Sequence, residues 1–179
     1  MPIMTRDDFW AILAECPPPT GPDDDCDELT SRLSRLPPPE IVAFDNHLTG
    51  LRLAAHRIDL WGAAYLINAG CSDDGFEYFR CWLIGQGREV YEAALDDPDS
   101  LADYGLVRSC ILDGSDDCEC EQFMYTPDRA YQRITGHELP EGAGEYPKLG
   151  EIWDFNDVEE MSRRYPRLSA LLDDADALA

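Results

Sequence analysis

CSDDGFEYFRCWLIGQGREVYEAAL, residues 71–95, reads as two short helices joined by a glycine-bounded turn, and this reading decides the fold class. Ser72 can accept a hydrogen bond as an N-cap. Asp73 and Asp74 then fall in the first turn, where the positive end of the helix dipole favours carboxylates. Phe76, Phe79 and Leu83 recur at steps of three and four and form an apolar stripe for burial. Gly85 is expected to take the left-handed C-terminal position, and Gly87 to turn the chain into REVYEAAL, with Val90, Ala94 and Leu95 inward. The polar set Asp73, Asp74, Glu77 and Arg80 is left without a structural assignment.

The same helical spacing extends in both directions. TRDDFWAILAEC carries Phe9, Trp10, Ile12 and Leu13 after a capping Thr5. PPPTGPDDDCDE (17–28) cannot continue a helix, and ELTSRLSRL resumes the pattern until PPPE at 37–40. From Glu40 to Ile67, Ile41, Phe44, Leu48, Leu51, Ala55 and Ile58 fall on one face, which predicts one long helix. GLVRSCIL (105–112) fits a strand and a buried turn of helix equally, and DGSDDCEC after it reads as a loop. Thr126 and Pro127 open a helix closed by Gly136, with Ala130, Tyr131 and Ile134 on its inner side. HELPEGAGEYPKLGE has too many glycines and prolines for regular structure. Asn156 and Glu159 resemble a capping box before the last helical stretch.

The expected fold is therefore mainly α. It has six to seven helices, at 5–15, 27–36, 40–67, 73–84, 87–95, 127–135 and 157–172, with long acidic and Pro/Gly-rich loops and room for one short strand pair. Trp10, Phe44, Leu48, Leu51, Trp61, Phe79, Trp82 and Leu83 are the expected core. A length of 179 residues with 44% hydrophobic content suits a single domain over 1–179.

Charge narrows the partners. Fourteen basic against 37 acidic residues give a formal net charge of −23, which repels nucleic-acid phosphates and anionic lipid heads. Residues 92–121 hold ten acids against one base, Arg108, so a basic protein would be drawn there. No apolar run approaches the roughly 18 to 20 residues of a membrane span. The seven cysteines are an odd number with no secretory leader before them, which points to a cytoplasmic chain with reduced thiols.

Three constellations could carry chemistry. Asp45, Arg52, His56 and Asp59, at about 100° per residue, share one shoulder of the long helix, where His56 can meet Arg52 and Asp59. Such a set is either an ion network fixing the packing or a histidine–carboxylate general base. Asp73, Asp74, Glu77 and Arg80 can present two carboxylates to a cationic ligand or simply form surface pairs. Cys71, just before a helix N-terminus, is open to a lowered thiol pKa. Cys110, Cys118 and Cys120, with His137, do not match zinc-ligand spacing, so no metal and no cofactor is expected. Phosphate-loop, GxSxG and HExxH motifs are absent.

FWAILAE, SRLSRLPPPEIVAFD, DLWGAAYLINAGCSDDGFEYFRCWLIGQGREVYEAAL and DDPDSLAD together resemble the bacterial family known as domain of unknown function 4240. The likeness is strong over residues 5–105; TPDRAYQRITG and RYPRLSALL extend it weakly. Residues 106–121 depart from the family pattern as an acidic, cysteine-containing insertion, and 122–179 supply C-terminal helices. The family has no established activity. The resemblance thus implies a soluble bacterial protein and transfers no catalytic residue.

Two functions fit these observations. One is a non-enzymatic, acidic interaction module that binds a basic protein, in a regulatory role or as an immunity- or inhibitor-like protein toward a basic toxin or nuclease. The other is a small-molecule-binding or hydrolytic enzyme with a polar pocket between the 40–67 and 73–84 helices. Its catalytic candidates are His56, Asp59, Asp73, Asp74 and Arg80, and its binding candidates are Asp45, Arg52, His56, Asp59, Asp73, Asp74, Glu77 and Arg80.

Overall fold

Capped amphipathic segments assemble into an all-helical structure in the computed structural model, which describes residues 4–114, 118–140, 142 and 144–178. Among the described residues there are eleven α-helices and one 3₁₀ turn, and no strand. In order they are α1 (Arg6–Ala14), α2 (Asp27–Leu33), α3 (Pro38–Ala54), α4 (Ile58–Ile67), α5 (Asp73–Gly85) and α6 (Arg88–Asp96). The 3₁₀ turn (Pro98–Asp103) follows, then α7 (Gly105–Asp113), α8 (Glu121–Met124), α9 (Thr126–Thr135), α10 (Val158–Arg164) and α11 (Pro166–Leu178). Among the described residues, no helix is long and apolar enough to cross a membrane.

The expected count of six to seven helices is too low, and the strand pair is replaced by helix α7. The single helix 40–67 is broken. Arg57 is extended (φ −132°, ψ 142°) and serves as the N-cap of α4. Its side chain forks onto Asp59, whose Oδ1 also accepts the Leu60 N–H at 2.8 Å. The interruption is so short that the apolar spacing runs through it, so periodicity alone cannot see it.

The last predicted helix also splits, at Tyr165 and Pro166. The orphan donors at the start of α11 find a remote cap: Asp99, 5% exposed, accepts the N–H groups of Arg167 and Leu168 at 2.9 Å each. Arg167 itself reaches Asp97, Asp99 and Asp103. Three of the ten acids in 92–121 are thus engaged by the C-terminal helix, while Asp116 and Asp117 lie outside the described residues. α11 packs on α7 and the 3₁₀ turn, and α9 lies on α2 and α3.

Several local expectations hold. Thr5 makes a full capping box with Asp8, Ser72 Oγ accepts the Gly75 N–H at 3.1 Å, and Gly136 is left-handed (φ 74°). Others need correction. Gly85 is helical, and its missing side chain makes room for Pro19, whose ring carbons would stand 2.5 Å from an added Cβ; Gly87 takes the positive φ of 96°. The cap before α10 is Asp157, which accepts the Glu160 N–H, rather than Asn156. α9 starts at Thr126 itself, with Tyr125 as its N-cap residue. Ile134 is 40% exposed rather than inward.

One contiguous apolar core contains Trp10, Phe44, Leu48, Leu51, Phe79, Trp82 and Leu83 as expected. Phe9 joins Phe44 at a ring-centroid distance of 4.5 Å. Trp61 is only half-buried, because its ring stacks on Phe76 (4.9 Å, 10° between planes) at the edge of a cleft.

Candidate functional site

The break between α3 and α4 turns His56 out of helical register and toward the first two turns of α5. Between them opens a cleft of about 510 Å³, lined by His56, Asp73, Asp74, Glu77 and Arg80, with Trp61 and Phe76 on one side and Tyr146, Leu149 and Ile152 on the other. Five of the eight expected binding residues therefore meet in one concavity. The outer wall comes from 146–152, a stretch that Pro147 and Gly150 hide from helix or strand patterns; only the aromatic Tyr146 hints at it.

Arg80 forms the floor and is 2% exposed. Its Nε donates to Phe76 O at 3.2 Å and its Nη1 to Arg52 O at 2.8 Å. The guanidinium lies 4.9 Å from the Phe76 ring centre and 5.4 Å from that of Tyr146, within cation–π range. Glu77 is saturated: it pairs with Arg52, accepts the Tyr146 hydroxyl at 2.8 and 2.9 Å to its two oxygens, and stands 3.7 Å from Arg80 Nη2. A carboxylate held this way positions cations and the cleft wall, and cannot join Asp73 in holding a metal. Among the described residues no group of three or more metal-ligating side chains occurs.

His56 is the chemically open group. Its ring lies 4.8 Å from the Tyr146 ring, and its Nδ1 is buried without a hydrogen-bond partner among the described residues. Burial first and the Arg80 charge second pull its pKa below the ordinary histidine value, with Asp73 opposing them. Burial and the Arg80 charge both favour the uncharged imidazole. Asp73 and Asp74 stand exposed on the rim, stabilised by the dipole of α5, and neither makes a hydrogen bond or ion pair among the described residues.

The other candidates lie elsewhere. Asp59 is taken up by Arg57 and the start of α4, and faces an adjoining groove of about 560 Å³ with Lys148 and Arg164. It does not pair with His56, because the helix that would have stacked them is broken. Asp45 sits apart on α3, where burial pushes its carboxyl above the ordinary value against the pull of Arg52. Arg52 backs the cleft through Glu77. The Cys71 thiol is pushed up to about 12, by burial first and Glu119 second, so the expected lowering at a helix N-terminus is overridden. His137 lies exposed just past α9.

Comparison with protein families places this architecture. A family model described as protein of unknown function (DUF4240) matches residues 4–133. The chain belongs to this family. The matched span includes α1 to α5 and so every cleft residue except the wall at Tyr146, Leu149 and Ile152, which lies beyond it. No curated protein and no solved structure matches the chain.

Proposed function

We propose that the protein is an acidic binding module whose cleft receives a small organic cation. The observation that carries this reading is the convergence of two carboxylates, Asp73 and Asp74, on a cleft with aromatic and aliphatic walls. The carboxylates take the charge, and Tyr146, Leu149 and Ile152 cover the apolar part of the ligand. The internal cations, Arg52 and Arg80, are answered by Glu77 and by backbone carbonyls, which leaves the rim negative. His56 adds a proton acceptor should the bound molecule be turned over.

The test is calorimetric titration with amines and guanidinium compounds of increasing apolar content, at low and high salt. Binding is expected for members combining a cation with an apolar group. It should weaken at least tenfold in Asp73→Asn/Asp74→Asn and fall with salt. Equal binding by wild type and variant, or no binding by any member, would reject the cleft as a cation site.

A second reading is docking of a basic protein on an acidic surface. It is favoured by the exposed acids Asp23, Asp25, Asp27 and Glu28 at the entry to and first turn of α2. A basic protein recovered by pull-down at low salt, lost at high salt, and still recovered by Asp73→Asn/Asp74→Asn would support this reading and separate it from the cleft.

A further inference from the structure

Four of the seven cysteines are gathered into two sulfur–sulfur contacts, one within eight residues of sequence and one between distant parts of the chain. Cys110 Sγ lies 3.0 Å from Cys118 Sγ, and Cys26 Sγ lies 3.5 Å from Cys120 Sγ across 94 residues of sequence. A disulfide needs about 2.04 Å, so the two pairs close with sulfur movements of about 1.0 and 1.5 Å. The 118–120 segment is well anchored: the Cys118 N–H donates to Asn68 Oδ1 at 3.0 Å and the Cys120 N–H to Tyr78 O at 3.1 Å. In each pair one sulfur is more reachable than the other. Cys110 is half-buried against Cys118 at 1% exposure, while Cys26, 8% exposed, lines a partly open cavity of about 170 Å³ and Cys120 is fully buried.

We propose that Cys110 with Cys118, and Cys26 with Cys120, are two disulfide-forming dithiols oxidised by a low-molecular-weight disulfide. The reachable thiol, Cys110 or Cys26, loses its proton and attacks the small disulfide, expelling one small thiolate and leaving a mixed disulfide on the protein. The buried partner, Cys118 or Cys120, then attacks the protein-bound sulfur and expels the second thiolate. Each new bond removes two protons and two electrons from the protein and yields two small thiols. The pairs differ in readiness. Cys110 is half-buried, whereas Cys26 is 8% exposed and shares a hydrogen bond with the fully buried Cys120. The more exposed pair reacts first, so the Cys110–Cys118 bond forms before the Cys26–Cys120 bond.

The experiment uses the reduced full-length protein in mixtures of reduced and oxidised glutathione, quenched with N-ethylmaleimide and mapped by mass spectrometry of non-reduced peptides. Two cross-links are expected, Cys110–Cys118 and then Cys26–Cys120, with Cys16, Cys71 and Cys81 recovered as thiols. Cys118→Ser should stop at one glutathione adduct on Cys110 while Cys26–Cys120 still closes. Cys120→Ser should stop at an adduct on Cys26 while Cys110–Cys118 still closes. Circular dichroism confirms folding, and Cys110→Ala, at a half-buried position, replaces Cys118→Ser if that variant does not fold; it should abolish only the first cross-link. Other pairings such as Cys118–Cys120, cross-links that appear only in denaturant, or the loss of both bonds in one variant would overturn the proposal.

Discussion

Replacing Glu77 with Gln removes one negative charge from between two guanidinium groups while preserving shape. Arg80 is 2% exposed and Arg52 16% at the side chain, so neither recovers its full hydration when Glu77 is neutralised. Stranding a buried charge by removing its partner typically costs about 3–5 kcal/mol. Arg80 retains two carbonyl acceptors and Glu77 is 24% exposed, which places the expected loss near the lower end, about 3 kcal/mol. For a chain of this size that corresponds to a fall in Tm of about 6–12 °C. Urea denaturation followed by far-ultraviolet circular dichroism measures it. Tyr146→Phe, which removes one hydrogen bond from a half-exposed tyrosine, should lose only about 1 kcal/mol. Because the cost arises from a stranded cation, Arg52→Met in the Glu77→Gln background should recover part of it. A Glu77→Gln variant within 1 kcal/mol of wild type, or a double variant with fully additive losses, would refute the reasoning.

Gly85→Ala should destabilise by about 1–3 kcal/mol through overpacking against Pro19, offsetting the gain in helix propensity, and chemical denaturation decides between this and a neutral substitution. The His56 pKa lies below that of the unfolded chain, so its contribution to stability is present above about pH 6.5 and is lost as pH falls through the folded value. His56→Asn should flatten that part of the stability–pH curve. Asp45 behaves oppositely: burial raises its pKa, so the charged form is penalised at neutral pH and the penalty vanishes once both states are protonated. Asp45→Asn should raise Tm at pH 7, with the gain shrinking as pH drops through the carboxylate range.

The helix around Phe79 was legible because its cap, its first-turn acids and its stripe are local features. The cleft was half legible. Asp73, Asp74, Glu77 and Arg80 stood out as polar groups without a structural assignment, and all four line the cleft with chemical roles that differ: Asp73 and Asp74 remain open, Glu77 is consumed by Arg52 and Tyr146, and Arg80 is held by backbone carbonyls. The expected His56–Asp59 pair failed because it assumed an unbroken helix, and the Arg57–Asp59 fork that starts α4 leaves the apolar period undisturbed.

By itself, the sequence determined the helical class, most of the buried aromatic set and the capped start of α5, since each depends on residues within a turn or two of one another. Only the tertiary structure decided that Tyr146 closes the cleft over Glu77, that Asp99 caps a helix 68 residues downstream, and that Cys26 meets Cys120. Those contacts join segments far apart in the chain. Their partners are selected by the packing of whole helices, which no local spacing encodes.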